Sequence, residues 1–112
     1  MQFFTFKQNN SGGSFDHDAD AGIGYAVIVE ADDAQDASRR AKAIGLYFNG
    51  CDDGRDCECC GDRWYPESEG TDEPELYGEI LRPVEAGRQP RIEWRIPLYI
   101  HYSDGTIKAV AA

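Results

Sequence analysis

Four cysteines, Cys51, Cys57, Cys59 and Cys60, fall within ten residues of one another and form the densest group of chemically active side chains in the chain. Cys57-Glu58-Cys59-Cys60 contains a C-x-x-C pair followed by Gly61, a spacing at which a tight turn lets two sulfurs bend around one ion. Cys51 can supply a third thiolate, and Cys59, His101 or His17 a fourth. A structural zinc is therefore expected on Cys51, Cys57, Cys59 and Cys60. Neighbouring side chains diverge, which counts against Cys59 and Cys60 ligating together, and packed reduced thiols remain an alternative. Disulfides are the third option, disfavoured because the N-terminus shows no basic-then-apolar leader toward an oxidising compartment. Thioredoxin-like redox chemistry does not fit, since the motif does not stand between a buried strand and a helix.

A second group suits ligand contact. Asn9, Asn10, Ser11, Gly12, Gly13 and Ser14 form a polar stretch whose asparagines and glycines tolerate positive φ, so backbone amides and side chains can cradle an anion. Arg55 and Arg63 flank the cysteines and offer paired donors to phosphate or carboxylate, with Trp64 and Tyr65 beside them to stack a base. On this reading Arg63→Ala removes binding and leaves the fold intact. The structural alternative pairs the two arginines with Asp52, Asp53, Asp56 or Asp62 and places Trp64 in the core. The stretch is not a Walker loop, because both the glycine spacing and the closing Lys-Ser/Thr are missing.

Catalysis finds little support. The only histidines are His17, in the acidic Asp16-His17-Asp18 stretch, and His101, on the polar face of an alternating segment. Neither is paired in sequence with a nucleophile, and no catalytic residue is assigned. The protein is expected to be non-enzymatic.

Charge is concentrated. The chain carries 21 acidic and 11 basic residues, a formal charge of −10. Residues 51–79 contain eleven of those acids against only Arg55 and Arg63. A field of this sign disfavours nucleic acid as a partner. The carboxylates form either a solvated loop or an acidic face for a basic host protein, and composition alone does not separate the two. No apolar run reaches the length of a membrane span, so a cytoplasmic protein is expected.

The elements that must position these groups are legible in outline. Gln2 to Lys7 is short and aromatic-rich, as a strand requires. Gly22 to Ala31 is a β-branched apolar run suited to a central strand. Asp32 or Asp33 then caps a helix running to Ile44, with Gln35 available to a capping box, Ala34, Ala37, Ala41 and Ile44 on one face, and Gly45 as terminator. From Arg91 to Tyr102 apolar and polar residues alternate, predicting one long strand that Pro97 confines to an edge or a bulge. Ser103-Asp104-Gly105 reads as a hairpin turn into Thr106 to Val110, and Leu76 to Leu81 as a further short strand. The sum is a single α+β domain over residues 1–112: a mainly antiparallel sheet, one helix packed on a face and an irregular cysteine-containing loop.

Two segments, Gln8-Asn9-Asn10-Ser11-Gly12-Gly13-Ser14-Phe15 and Gly54-Arg55-Asp56-Cys57-Glu58-Cys59-Cys60-Gly61-Asp62-Arg63-Trp64, with Tyr47-Phe48-Asn49-Gly50 between them, resemble a family of small uncharacterised tailed-phage proteins. The resemblance covers about the first two thirds of the chain. It implies a phage-encoded accessory protein of the host cytoplasm and carries no activity with it. Two functions are then open: counter-defence by sequestering a small anionic or nucleotide-like ligand, or an inhibitor or adaptor that docks on a host protein through the acidic segment 51–79.

Overall fold

The structure, a computed structural model, describes residues 1–9, 13–58, 60–85 and 89–112. Strand β1 (Gln2–Lys7) pairs antiparallel with β2 (Ala26–Ala31), with Phe4 opposite Val29 and Phe6 opposite Val27. Beyond β2 lies β7 (Tyr99–His101), running parallel to it, and then β8 (Ile107–Ala109), antiparallel to β7. The sheet order is thus β1-β2-β7-β8. One parallel pair makes it a mixed sheet, and that pair requires a long crossover. The crossover contains helix α1 (Ala34–Ile44) and the cysteine segment. The α+β class is as expected, and among the described residues α1 is the one helix, as the sequence predicts.

Because side chains alternate across a strand, the sheet has two distinct faces. Phe4, Phe6, Val27, Val29 and Ala31 point to one side and pack with Ala37, Ala41, Leu46, Phe48 and Trp64. Ala26, Ile28 and Ile100 point to the other and pack with Leu76, Leu81, Leu98 and Val110. Both faces of β2 are covered, which is why its run reads as continuously apolar rather than alternating. The observed strand begins at Ala26; Ile23 instead bridges back to Asp18 in a turn.

Helix α1 is capped by Asp33, whose carboxylate accepts from the Asp36 amide at 2.8 Å. Asp36 answers by accepting from the Asp32 amide, so the expected box residue Gln35 is replaced by Asp36. Ala37 and Ala41 carry no bulk and let the helix lie close on the sheet. At the other end, Leu46 N donates to Ala41 O and Gly45 N to Lys42 O, a Schellman closure with Gly45 at φ 129°. Asp33→Ala should cost about 1 kcal/mol in a urea melt; a change below a few tenths would show that Asp36 alone holds the helix start.

The long strand expected from Arg91 to Tyr102 is not formed. The chain reverses at Trp94-Arg95, making a hairpin of β5 (Ile92–Glu93) and β6 (Ile96–Pro97) before β7 begins. Ile92 and Trp94 are exposed, Ile96 is buried, and from Leu98 to His101 every residue is buried whichever face it shares. Leu76 to Leu81 likewise divides into β3 (Glu75–Leu76) and β4 (Glu79–Ile80), joined by Tyr77-Gly78. Both two-residue turns have positive φ at each position: 53° and 80° for Tyr77 and Gly78, 52° and 66° for Trp94 and Arg95. That is the type I′ geometry, ordinarily supplied by Asn-Gly, and a bulky residue held there costs on the order of 1–3 kcal/mol. No Asn-Gly signal marks either reversal, so the pattern of apolar residues predicted continuity. The turn at Ser103-Asp104-Gly105 forms as expected, with Tyr102 N donating to Thr106 O at 2.8 Å.

Candidate functional site

Arg63 lies at the centre of a polar knot that joins three parts of the chain. It is 7% exposed. One terminal nitrogen donates to Gln8 Oε1 at 3.0 Å and to Ser14 O at 2.7 Å, and Nε donates to Tyr47 Oη at 3.2 Å. Asp16 Oδ2 and Asp56 Oδ1 stand 3.4 and 3.8 Å from the same Nε. The Asp56 side chain is 0% exposed, and accepts from Tyr47 Oη and from the Arg63 amide, both at 2.8 Å. Gln8 completes the knot, donating to Gly24 O and Asp16 O while accepting from the Asp16 amide. Gly50 has to be glycine here, since a Cβ would overlap the Asp56 carboxylate. Burial, and then the bond to Asp56, raise the Tyr47 phenol above its ordinary range. Among the described residues no buried side-chain polar atom lacks a hydrogen-bond partner.

This placement bears directly on the expected ligand residues. Asn9 Nδ2 donates to Cys60 O at 2.8 Å and Asp62 O at 3.2 Å, tying the end of β1 to the cysteine segment. Trp64 is in the core beside Phe4 and Phe48. Gly13 and Ser14 are at the surface, and Arg55 is exposed with its guanidinium 4.5 Å above the Tyr47 ring. Asn10, Ser11 and Gly12 lie outside the described residues, as does Cys59. The structure therefore gathers Asn9, Ser14 and Arg63, but as internal ties, and the pairing of Arg63 with Asp56 follows the structural alternative. Gln8, Asp16, Tyr47 and Asp56 were not singled out as its partners together; only Asp56 carried a signal, as one of several acids near the arginine.

The cysteine segment is ordered by backbone turns and by Asp56. Cys60 N and Gly61 N both donate to Cys57 O at 3.1 Å, closing the C-x-x-C turn, and Gly61 takes φ 85°. Cys57 and Cys60 are exposed. Cys51 Sγ lies 3.5 Å from Cys57 O, and its amide donates to Asp62 Oδ1. Desolvation and then the Asp62 carboxylate push the Cys51 thiol up to about 11, so it is protonated at neutral pH. Among the described residues no three His, Cys, Asp or Glu side chains converge as metal ligands. The two histidines are engaged elsewhere: His17 Nε2 with Tyr99 Oη at 3.3 Å, and His101 with Gly22 O at 2.7 Å.

His101 was expected on an exposed polar face, yet it is buried, because the face of β7 it shares with Tyr99 is covered by the chain around Gly22. Desolvation lowers its pKa from the ordinary 6.5, only partly opposed by the Gly22 bond. The neutral ring is favoured in the fold, so this contribution to stability is full above about pH 6.5 and declines as pH falls toward the lowered folded value. His101→Gln should flatten the pH dependence of urea stability in that window; an unchanged slope would assign the dependence to other groups.

The surface also carries a group of carboxylates beside a run of aromatic rings. A cleft of about 240 Å³ opens between β1 and the β3–β4 hairpin, with Glu67, Glu69, Glu75, Lys7, Phe3 and Tyr77 on its walls. None of the three glutamates forms an ion pair among the described residues. Lys7 Nζ rests 4.7 Å over the Tyr77 ring. From Tyr77 a chain of rings continues across the surface: Tyr25 Oη meets Tyr77 Oη at 3.3 Å, Phe15 packs on Tyr25 at 5.7 Å between centroids, and Trp94 on Phe15 at 6.1 Å. Tyr77 and Trp94, at the two hairpin tips, are 71% and 72% exposed. The bond to Tyr77 and burial push the Tyr25 phenol up to about 12, keeping that bridge neutral.

Fold and geometry together define a small α+β protein with an internal polar knot around Arg63 and, at its surface, a carboxylate-lined cleft beside a run of aromatic rings. The chain belongs to the family described as Domain of unknown function (DUF7296), whose model matches residues 1–112. No curated protein and no solved structure matches it. Among the described residues no helix is long and apolar enough to cross a membrane.

Proposed function

We propose that this protein is a non-enzymatic phage accessory factor of the host cytoplasm that docks on a basic host protein through the acidic segment 51–79. One observation carries this reading: Glu67, Glu69 and Glu75 open on a common cleft without ion-pair partners among the described residues, while the arginine best placed to receive an anion, Arg63, faces inward. Unpaired carboxylates retain their long-range attraction for a basic surface, and such association weakens with salt. Affinity capture from host lysate should recover a stoichiometric protein at low salt and lose it at high salt, and the triple change Glu67→Lys, Glu69→Lys and Glu75→Lys should abolish recovery. Capture indifferent to both salt and charge reversal would overturn the reading.

Counter-defence by sequestration of a small anionic or nucleotide-like ligand is the second reading, favoured by the surface position of Gly13, Ser14 and Arg55. Calorimetry against linear and cyclic nucleotides decides it, with no heat from any member ending it. The structural zinc belongs with either reading, supported by the closed C-x-x-C turn and the exposure of Cys57 and Cys60. Its expected result is a native mass one zinc above the bare chain and a lower melting temperature in Cys57→Ser. A bare-chain mass with four alkylatable thiols would remove it.

A further inference from the structure

We propose that the two aromatic hairpin tips, Tyr77 and Trp94, with Tyr25 and Phe15 between them, anchor the docking face and take arginine side chains of the partner protein. The inference rests on the docking reading and deepens it, by naming the contact residues and the partner's chemistry.

Three observations lead to it. First, both tips place a large ring in a turn whose backbone favours Asn-Gly, at φ 53° for Tyr77 and 52° for Trp94. The fold gains no core burial from either ring, since both are more than two thirds exposed. Strain without burial is unexplained by folding and is commonly found at recognition sites. Second, the rings are contiguous. Tyr25 and Phe15 bridge the tips through the contacts already described, producing one aromatic surface rather than scattered exposed residues. Tyrosine and tryptophan are the side chains that dominate binding energy in protein interfaces. Third, the surroundings specify a cation. Glu67, Glu69 and Glu75 share the cleft with Tyr77. The chain's own cations already rest on tyrosine faces, Lys7 on Tyr77 at 4.7 Å and Arg55 on Tyr47 at 4.5 Å. A guanidinium satisfies both halves of the surface at once, stacking its plane on a ring while its fork of donors meets a carboxylate. An ammonium satisfies the charge alone. Arg91, just before β5, is paired with Glu79 and Glu93, while Arg95 at the tip is exposed beside Trp94, so the acidic bias of the face lies on its Tyr77 side.

The test uses nona-arginine and nona-lysine peptides as probes at low salt, followed by the indole signal of Trp94 and by amide shifts across the chain. Nona-arginine should shift the Trp94 indole and bind several-fold more tightly than nona-lysine. A tip variant, Tyr77→Asn with Trp94→Asn and Arg95→Gly, should bind nona-arginine at least tenfold more weakly. Its melting temperature should equal or exceed that of the parent, because both turns then carry their preferred residues, so lost binding is not lost folding. Equal binding of the two peptides, or undiminished binding by the tip variant, overturns the proposal. In that event, sensitivity to the Glu67, Glu69 and Glu75 reversal would leave the broader docking reading standing. Loss in the tip variant with indifference to the charge reversal would instead keep the aromatic anchor and remove the acidic one. Absence of binding by either peptide overturns both. Self-association of the parent that disappears in the tip variant, seen by sedimentation, would make a second copy the occupant and also overturn it.

Discussion

Arg63→Ala should lower stability by about 3–5 kcal/mol, read as a shifted midpoint in a urea melt, because it strands the Asp56 carboxylate in the interior without its cation. The Asp56 side chain has no exposure, and Tyr47 Oη and the Arg63 amide are the two donors it keeps. Gln8 Oε1, Ser14 O and Tyr47 Oη also lose a donor. For a domain with total stability on the order of 5–15 kcal/mol, that is a large share. Removing the acid as well, in Arg63→Met with Asp56→Leu, should recover part of the loss, since it is the uncompensated charge that costs most. A variant melting within a degree or two of the parent would show that water reaches the site and solvates Asp56. The outcome expected from sequence, lost binding in an intact fold, is replaced by one in which the fold itself suffers.

Trp64→Ala should cost a further large amount, about 3–5 kcal/mol, through the cavity left among Phe4, Phe48, Leu46 and the helix alanines. Trp64 is 1% exposed, and small neighbours such as Ala37 and Ala41 cannot close over the void. Because Trp64 follows Arg63 directly, the two losses should not add; both release the same loop, and a double-mutant cycle should show coupling between them. Fluorescence offers an independent check. Trp64 should resist quenching by iodide while Trp94 is quenched readily, and a single population of equally quenched indoles would contradict the burial. Trp64→Phe should retain most of the stability, since it keeps an aromatic in the cavity.

These two residues also tie together the described part of the segment from Tyr47 to Tyr65. It is rich in acids and poor in apolar side chains, so it has little apolar surface with which to order itself. In the fold, a buried carboxylate serves as an anchor: Asp56 draws in Tyr47 and the Arg63 amide, and Gly50 leaves it room.

Local chemistry, read along the chain, was enough to determine β1, the body and both ends of α1, the Ser103-Asp104-Gly105 turn and the α+β class. Each depends on interactions a few residues apart: alternation or helical spacing, a cap, a glycine in left-handed backbone. It also placed the acidic excess in the segment that lines the exposed cleft. Tertiary structure alone decided the rest. Whether Arg63 faces solvent or Asp56 depends on Gln8, Ser14, Tyr47 and Asp56 arriving together from distant positions, and no spacing encodes that meeting. His101 was buried by the chain around Gly22, not by its neighbours on the strand. The reversals at Tyr77 and Trp94 override local preference: bulky residues occupy backbone conformations that favour asparagine and glycine, with their rings exposed, and the strand pairs on either side close the turn across them.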